Sequence, residues 1–167
     1  LATAYYGVLT RKLSATNGPQ NLIGWQAVDR LKPSDDARSA KLGHALNALL
    51  IGDATAVERL DGFIHDAGEI FRQNGASGPL GIARVLGSSA LMLADPGAFV
   101  AIRTDLFERA VKQLMGGKFP TYSDEPGRVR AALGLTEAVR DQLDADGWRP
   151  RDLIDIQSFL WIALMYQ

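Results

Sequence analysis

The stretch RPRDLIDIQSFLWIALMYQ (149–167) carries two carboxylates, Asp152 and Asp155, three residues apart. On a helix that spacing puts both on one face, as a shared metal ion or an acid/base pair would require. The same two residues also suit the first turns of a helix opened by Pro150, where carboxylates complement the helix dipole. No third ligand stands near them in the sequence. The pairs Asp66/Glu69 and Asp35/Asp36 read the same way, as solvated acidic faces.

His44 lies among apolar neighbours in KLGHALNALL, and His65 stands beside Asp66. A His/Asp acid–base pair is therefore open, and with it a hydrolase reading. No serine occupies a nucleophile-elbow context, and the chain has no cysteine. No HExxH, P-loop or GxGxxG pattern occurs, and GASGPLG lacks the lysine that a phosphate-binding loop uses. The expectation is a protein that is not an enzyme and uses neither cofactor nor metal.

The basic residues point elsewhere. Arg128 and Arg130 fall near the start of one expected helix, close to Tyr122. Arg149 and Arg151 flank Pro150 beside Trp148, and Arg103, Lys112 and Lys118 surround the helix between them. Cations and backbone N–H groups at helix N-termini, interleaved with aromatics, can hold phosphates and stack bases. The competing reading pairs these arginines with Asp124, Glu125, Asp144 and Asp146, which are as close in sequence. DNA is the expected partner if the first reading holds.

Positioning these groups falls to helices. Tyr5, Tyr6, Leu9 and Leu13 form one stripe at helical spacing, ended by Gly18 and Pro19. A short second helix bears Leu22, Trp25 and Val28. Ser34 caps a third, closed by Gly52, and Asp53 or Thr55 starts a fourth that Gly62 and Gly68 weaken. Pro79 opens a fifth, Thr104 caps a sixth that Gly116-Gly117 ends, Pro126 opens a seventh and Pro150 an eighth. GAFVAI (97–102) has the only β character, and reads equally well as an extended linker. The fold class is all-α, a single globular domain over 1–167 of about seven to eight helices with short loops.

The chain's 167 residues suffice for one core without staples, and 47% apolar with 22% charged residues is a globular composition. The formal charge of −1 is spread evenly: eight basic and eight acidic residues in 1–83, ten and eleven in 84–167. Any contact with nucleic acid must then come from local geometry rather than a global field. The apolar run from Phe159 to Tyr166 spans only about 12 Å as helix, far short of a bilayer. Protein must enclose it, either its own domain or a further part of the full-length chain. No signal peptide is visible and the cysteine count is neutral to mildly favourable for a cytosolic origin, so a cytoplasmic location without membrane contact is expected. Beginning at Leu1 and stopping inside an apolar helix, the chain reads as an excised part of a longer protein.

Residues GWRPRDLIDIQSFLWIA resemble a W-x-P-x-D-(L/M)-I-D-(I/V)-Q-S-F-(L/I)-W pattern of prokaryotic restriction and antiviral proteins linked to McrB-like AAA+ motor domains. ARVLGSSALMLADPGAFVAIRTDLFERAVKQL is similar to the same group, so the resemblance covers roughly residues 80–164. Trp148, Pro150, Asp152, Asp155, Gln157 and Trp161 are its signature positions. The resemblance implies a non-motor module of a modification-dependent restriction or phage-defence system that engages DNA or positions neighbouring domains. A second expectation is a protein-interaction scaffold, docking its apolar C-terminal helix onto a flanking domain or another subunit.

Overall fold

The computed structural model describes residues 1–14, 25–31, 36–121 and 123–165. Among them run eight α-helices: α1 (Ala2–Ser14), α2 (Trp25–Asp29), α3 (Asp36–Ile51), α4 (Ala56–Gln73), α5 (Pro79–Ala94), α6 (Thr104–Ala110), α7 (Glu125–Ala145) and α8 (Leu153–Met165). No strand occurs among the described residues, so the all-α class expected from periodicity is the one observed. Gly18, Pro19, Leu22, Ser34, Asp35, Tyr122 and Tyr166 lie outside the described residues, as do the side chains of Leu13, Trp25 and Asp36.

Local chemistry explains where α4, α7 and α8 begin. Thr55 and Glu58 form a reciprocal capping box on α4: the Glu58 N–H donates to Thr55 Oγ1 at 3.3 Å and the Thr55 N–H donates to Glu58 Oε2 at 3.0 Å. The Thr55 hydroxyl, which also donates to Glu58 Oε2 at 2.7 Å, and then the Thr55 N–H hold the Glu58 carboxyl below the usual carboxylate range. Asp124, rather than Pro126, caps α7 by accepting from the Gly127 N–H at 2.8 Å. Asp152, rather than Pro150, begins α8: its Oδ1 accepts from the Ile154 and Asp155 N–H groups at 3.0 and 3.1 Å. Thr104 makes no cap bond on α6; its hydroxyl is engaged by Arg84 instead. After Ala110 the helix widens into a π-helical turn (Val111–Met115) that Gly116, at φ 65°, terminates.

Packing centres on the pair α4/α5. A Cβ added at Gly87 of α5 would sit 2.5 Å from Phe63 Cδ1 and 2.6 Å from Leu60 Cδ1, and one at Gly68 of α4 would sit 2.7 Å from Leu80 Cδ2. Side chains of each helix therefore fill the space that a Cβ would take on the other. Gly68, expected to weaken α4, is buried in this contact and the helix is unbroken. Leu60, Ile64 and Phe71 of α4 and Leu86 of α5 are fully buried.

A guanidinium joins the second half of the chain to this pair. Arg84 of α5, fully buried, donates from Nε and Nη2 to both oxygens of Glu125 on α7, at 2.6 and 2.8 Å. Its Nη1 donates to the Thr104 hydroxyl at the start of α6. One side chain thus fixes α5, α6 and the first turn of α7 relative to one another.

Residues 97–102 form neither strand nor helix. Phe99, Val100, Ala101 and Ile102 run extended through the interior, each under 9% exposed. Buried backbone needs partners, and side chains supply them. The Gln157 amide of α8 accepts from the Ala101 N–H and donates to the Ala101 carbonyl, both at 2.9 Å. Ser88 of α5 accepts from the Ile102 N–H at 2.8 Å while donating to the Arg84 carbonyl at 2.6 Å. The apolar run reads as β because it is enclosed on all sides, but its ladder partners are two side chains.

These contacts can be weighed by mutation. Arg84→Met or Glu125→Leu alone should lower the urea-unfolding free energy by about 3–5 kcal/mol, because either leaves a buried charge uncompensated. The double variant should lose much less than the sum, and additive losses would show that the two do not act as a pair. Gln157→Leu strands the Ala101 N–H and leaves the Ala101 carbonyl only the Arg103 N–H, costing roughly 1–3 kcal/mol, and should speed hydrogen exchange at the Ala101 amide above that of its helical neighbours.

Candidate nucleic-acid interface

Asp152 and Asp155 act structurally. Asp152 is the cap of α8, and Asp155 accepts from Arg151: Nε to Oδ2 and Nη2 to Oδ1 at 3.1 Å each, and the Arg151 N–H to Oδ2 at 3.0 Å. The Arg151 side-chain bond, then its backbone bond, holds the Asp155 carboxyl below the usual carboxylate range. Glu69 turns toward Arg72 and Gln73 on its own helix. Among the described residues no group of three or more metal-ligating side chains converges.

The two histidines do not share a site. His65 Nε2 lies 3.9 Å from Asp61, one turn earlier on α4, rather than pairing with Asp66. At that distance the contact is not a hydrogen bond. His44 lines an open groove between α3 and α4 with Lys41 on its own helix and Asp66, Glu69 and Gln73 opposite. A smaller apolar groove of about 290 Å³ lies between α1, α3 and α5 over Tyr5, Leu46, Leu50, Ala90 and Leu93. Burial pushes the Tyr5 phenol well above its usual range, and its hydroxyl donates to the Leu86 carbonyl at 2.8 Å.

The seven expected phosphate contacts separate into two sets. Arg128 is 2% exposed: its Nη2 lies 3.5 Å from Glu108, and its guanidinium sits 5.1 Å from the centroid of the Phe119 ring. It lies in the interior, because α7 turns this face toward α6. Arg103 stacks on Trp161, 4.4 Å from the ring centroid, and pairs with Asp105. Arg151 is held by Asp155. Lys112, Lys118, Arg130 and Arg149 are exposed and make no ion pair among the described residues.

Local charge ranks these four. Arg149, at φ 52°, follows a helix end in which Gly147, at φ 85°, lets the Trp148 N–H reach the Leu143 carbonyl at 2.9 Å. Trp148 is 72% exposed there. Yet Asp141, Asp144, Asp146, Asp152 and Asp155 surround it in sequence, and the N-terminus of α8 is already filled by Asp152. Between Arg109 and Ser123, by contrast, the chain carries Arg109, Lys112 and Lys118 and no carboxylate. Arg109 also donates to the Leu164 carbonyl at 3.3 Å, which sets the π-helical turn at the far end of α8.

The sequence missed the exposed Leu114 and Met115 on this turn, 53% and 64% accessible. Helical periodicity carried through Met115 treats them as one more helical turn, and only the π-helical widening turns them outward. The C-terminal helix is enclosed on one side: Leu160 and Leu164 are buried, whereas Ile162 is 66% exposed. No described helix is long and apolar enough to cross a membrane. Comparison of the chain with protein-family models, curated proteins and solved structures finds no match.

The Asp155 carboxyl, depressed in the fold, contributes stability above its unfolded pKa and loses it as pH falls through the folded value. Arg151 is 84% exposed, so solvent screens the pair and its contribution is small. The stability gap between the parent chain and Asp155→Asn should be constant near neutrality and close on acidification below about pH 4, measured by urea unfolding across pH.

Proposed function

We propose that this chain is a non-catalytic helical module that engages DNA, or positions neighbouring domains on it, within a bacterial modification-dependent restriction or phage-defence protein. The observation that supports DNA engagement is the acid-free segment from Arg109 to Ser123, on which Lys112 and Lys118 are exposed and in no ion pair among the described residues. Arg130 adds a further exposed cation on α7. The restriction or defence setting rests on the resemblance of residues 80–164, in which Gln157 and the aspartates hold the fold. Asp124 and Asp152 are occupied as helix caps and Asp155 by Arg151.

A second reading, a scaffold docking through α8, draws on the exposed Ile162 and Trp148. Apolar surface of that kind marks protein contacts.

Fluorescence titration of labelled duplexes, with and without modified bases, separates the two. DNA engagement predicts binding that weakens steeply with salt, and Lys112→Ala/Lys118→Ala should lower the slope of log K against log salt by about 2. Absence of binding to every duplex at low salt removes this reading and leaves the scaffold.

A further inference from the structure

The π-helical turn is built from the core outward. Phe107, fully buried, stacks against Phe119 with ring centroids 6.2 Å apart, and Val111 is buried at the start of the turn. These fix both ends of the segment, and Gly116 at φ 65° reverses the chain immediately after Met115. Leu114 and Met115 then stand adjacent in the chain and exposed, with exposed Lys112 before them and exposed Lys118 after them in the sequence. The nearest carboxylate before the segment, Glu108, lies 3.5 Å from Arg128. An adjacent pair of large apolar side chains in water, on a firm base and with a lysine two or three residues away on each side in the chain, costs solvation unless something covers it. π-helical turns concentrate at functional sites.

The charge selects a polyanion, and the size of the apolar tip selects among polyanions. An interfacial membrane helix buries a whole apolar face, and a single short insertion gives only marginal attachment. Two side chains flanked by lysines match the apolar wedge that minor-groove proteins insert between base pairs. We propose that Leu114 and Met115 are such a wedge: they enter the minor groove of double-stranded DNA and unstack a base step, with Lys112 and Lys118 on the flanking phosphates. This rests on the DNA-engaging reading above and adds to it the groove, the deformation and the residues. Flexible pyrimidine–purine steps, which unstack at least cost, would be the preferred sites.

The test titrates the chain against a short duplex with a fluorescent adenine analogue at a central TA step and a donor–acceptor pair at its ends. The parent chain should raise the analogue's fluorescence and bring the ends together. Leu114→Ala/Met115→Ala should lose both signals and bind on the order of tenfold more weakly, with the salt slope retained. Both residues are exposed, so the unfolding midpoint should not move. Binding without unstacking or bending, or unstacking undiminished in the double variant, overturns the wedge and leaves the DNA reading in place. A parent chain that binds no duplex removes both. Binding to phosphatidylserine vesicles that depends on Leu114 and Met115, with no duplex unstacking, assigns the tip to a membrane surface and also overturns the wedge. Self-association lost in the double variant does the same in favour of a second copy.

Discussion

The Arg84–Glu125 pair is the constraint on which the arrangement of the C-terminal half depends. Both groups are buried, which costs several kcal/mol for each ion before any attraction is counted. That cost is offset only in the observed geometry, with two parallel N–H···O bonds and a third donor on Thr104. Helices α5, α6 and α7 cannot slide past one another without breaking it. An apolar core tolerates small shifts because dispersion has no direction, whereas a buried bidentate pair does not. A buried ion pair of this kind specifies one packing of helices more than it stabilises any.

The same logic extends to the segment between α5 and α6. A chain crossing the interior without regular structure would strand its N–H and C=O groups. Ser88 and Gln157 meet them from opposite sides, one from α5 and one from α8. Gln157 suits this role because its amide is donor and acceptor at once and so imitates a neighbouring strand. Ser88 passes the connection on to the carbonyl of Arg84, so the extended segment and the ion pair share one turn of α5. Gln and Asp side chains, which in other settings do chemistry, are here consumed by backbone satisfaction.

The exposed surface mixes both signs of charge, with Asp141, Asp144 and Asp146 grouped at the end of α7 and Lys112 and Lys118 after α6. Two of the seven expected phosphate contacts are drawn into the structure, Arg128 against Phe119 and Arg103 onto Trp161, and a third, Arg151, is paired with Asp155 at the surface. The helix N-termini expected to receive phosphates are capped by their own aspartates, which already satisfy the N–H groups and bring negative charge. The exposed lysines on the acid-free turn after α6 carry the remaining positive field. Leu114 and Met115 give that turn an apolar tip that charge alone does not explain.

Taken alone, the order of residues determined the helical class, because apolar stripes at 3.6-residue spacing and Gly/Pro punctuation are local signals. It also determined the absence of familiar catalytic motifs and placed the eight helices within a few residues. Caps at Asp124 and Asp152, rather than at the nearby prolines, were legible in residue type but ambiguous between neighbours. Partners distant in the chain were not legible. Arg84 and Glu125 are 41 residues apart, and Gln157 and Ala101 are 56 apart. No periodicity says which arginine will be buried and which left in water. Only the tertiary structure decided that, since the cost of burying a charge is set by the groups that surround it, and those arrive from other helices.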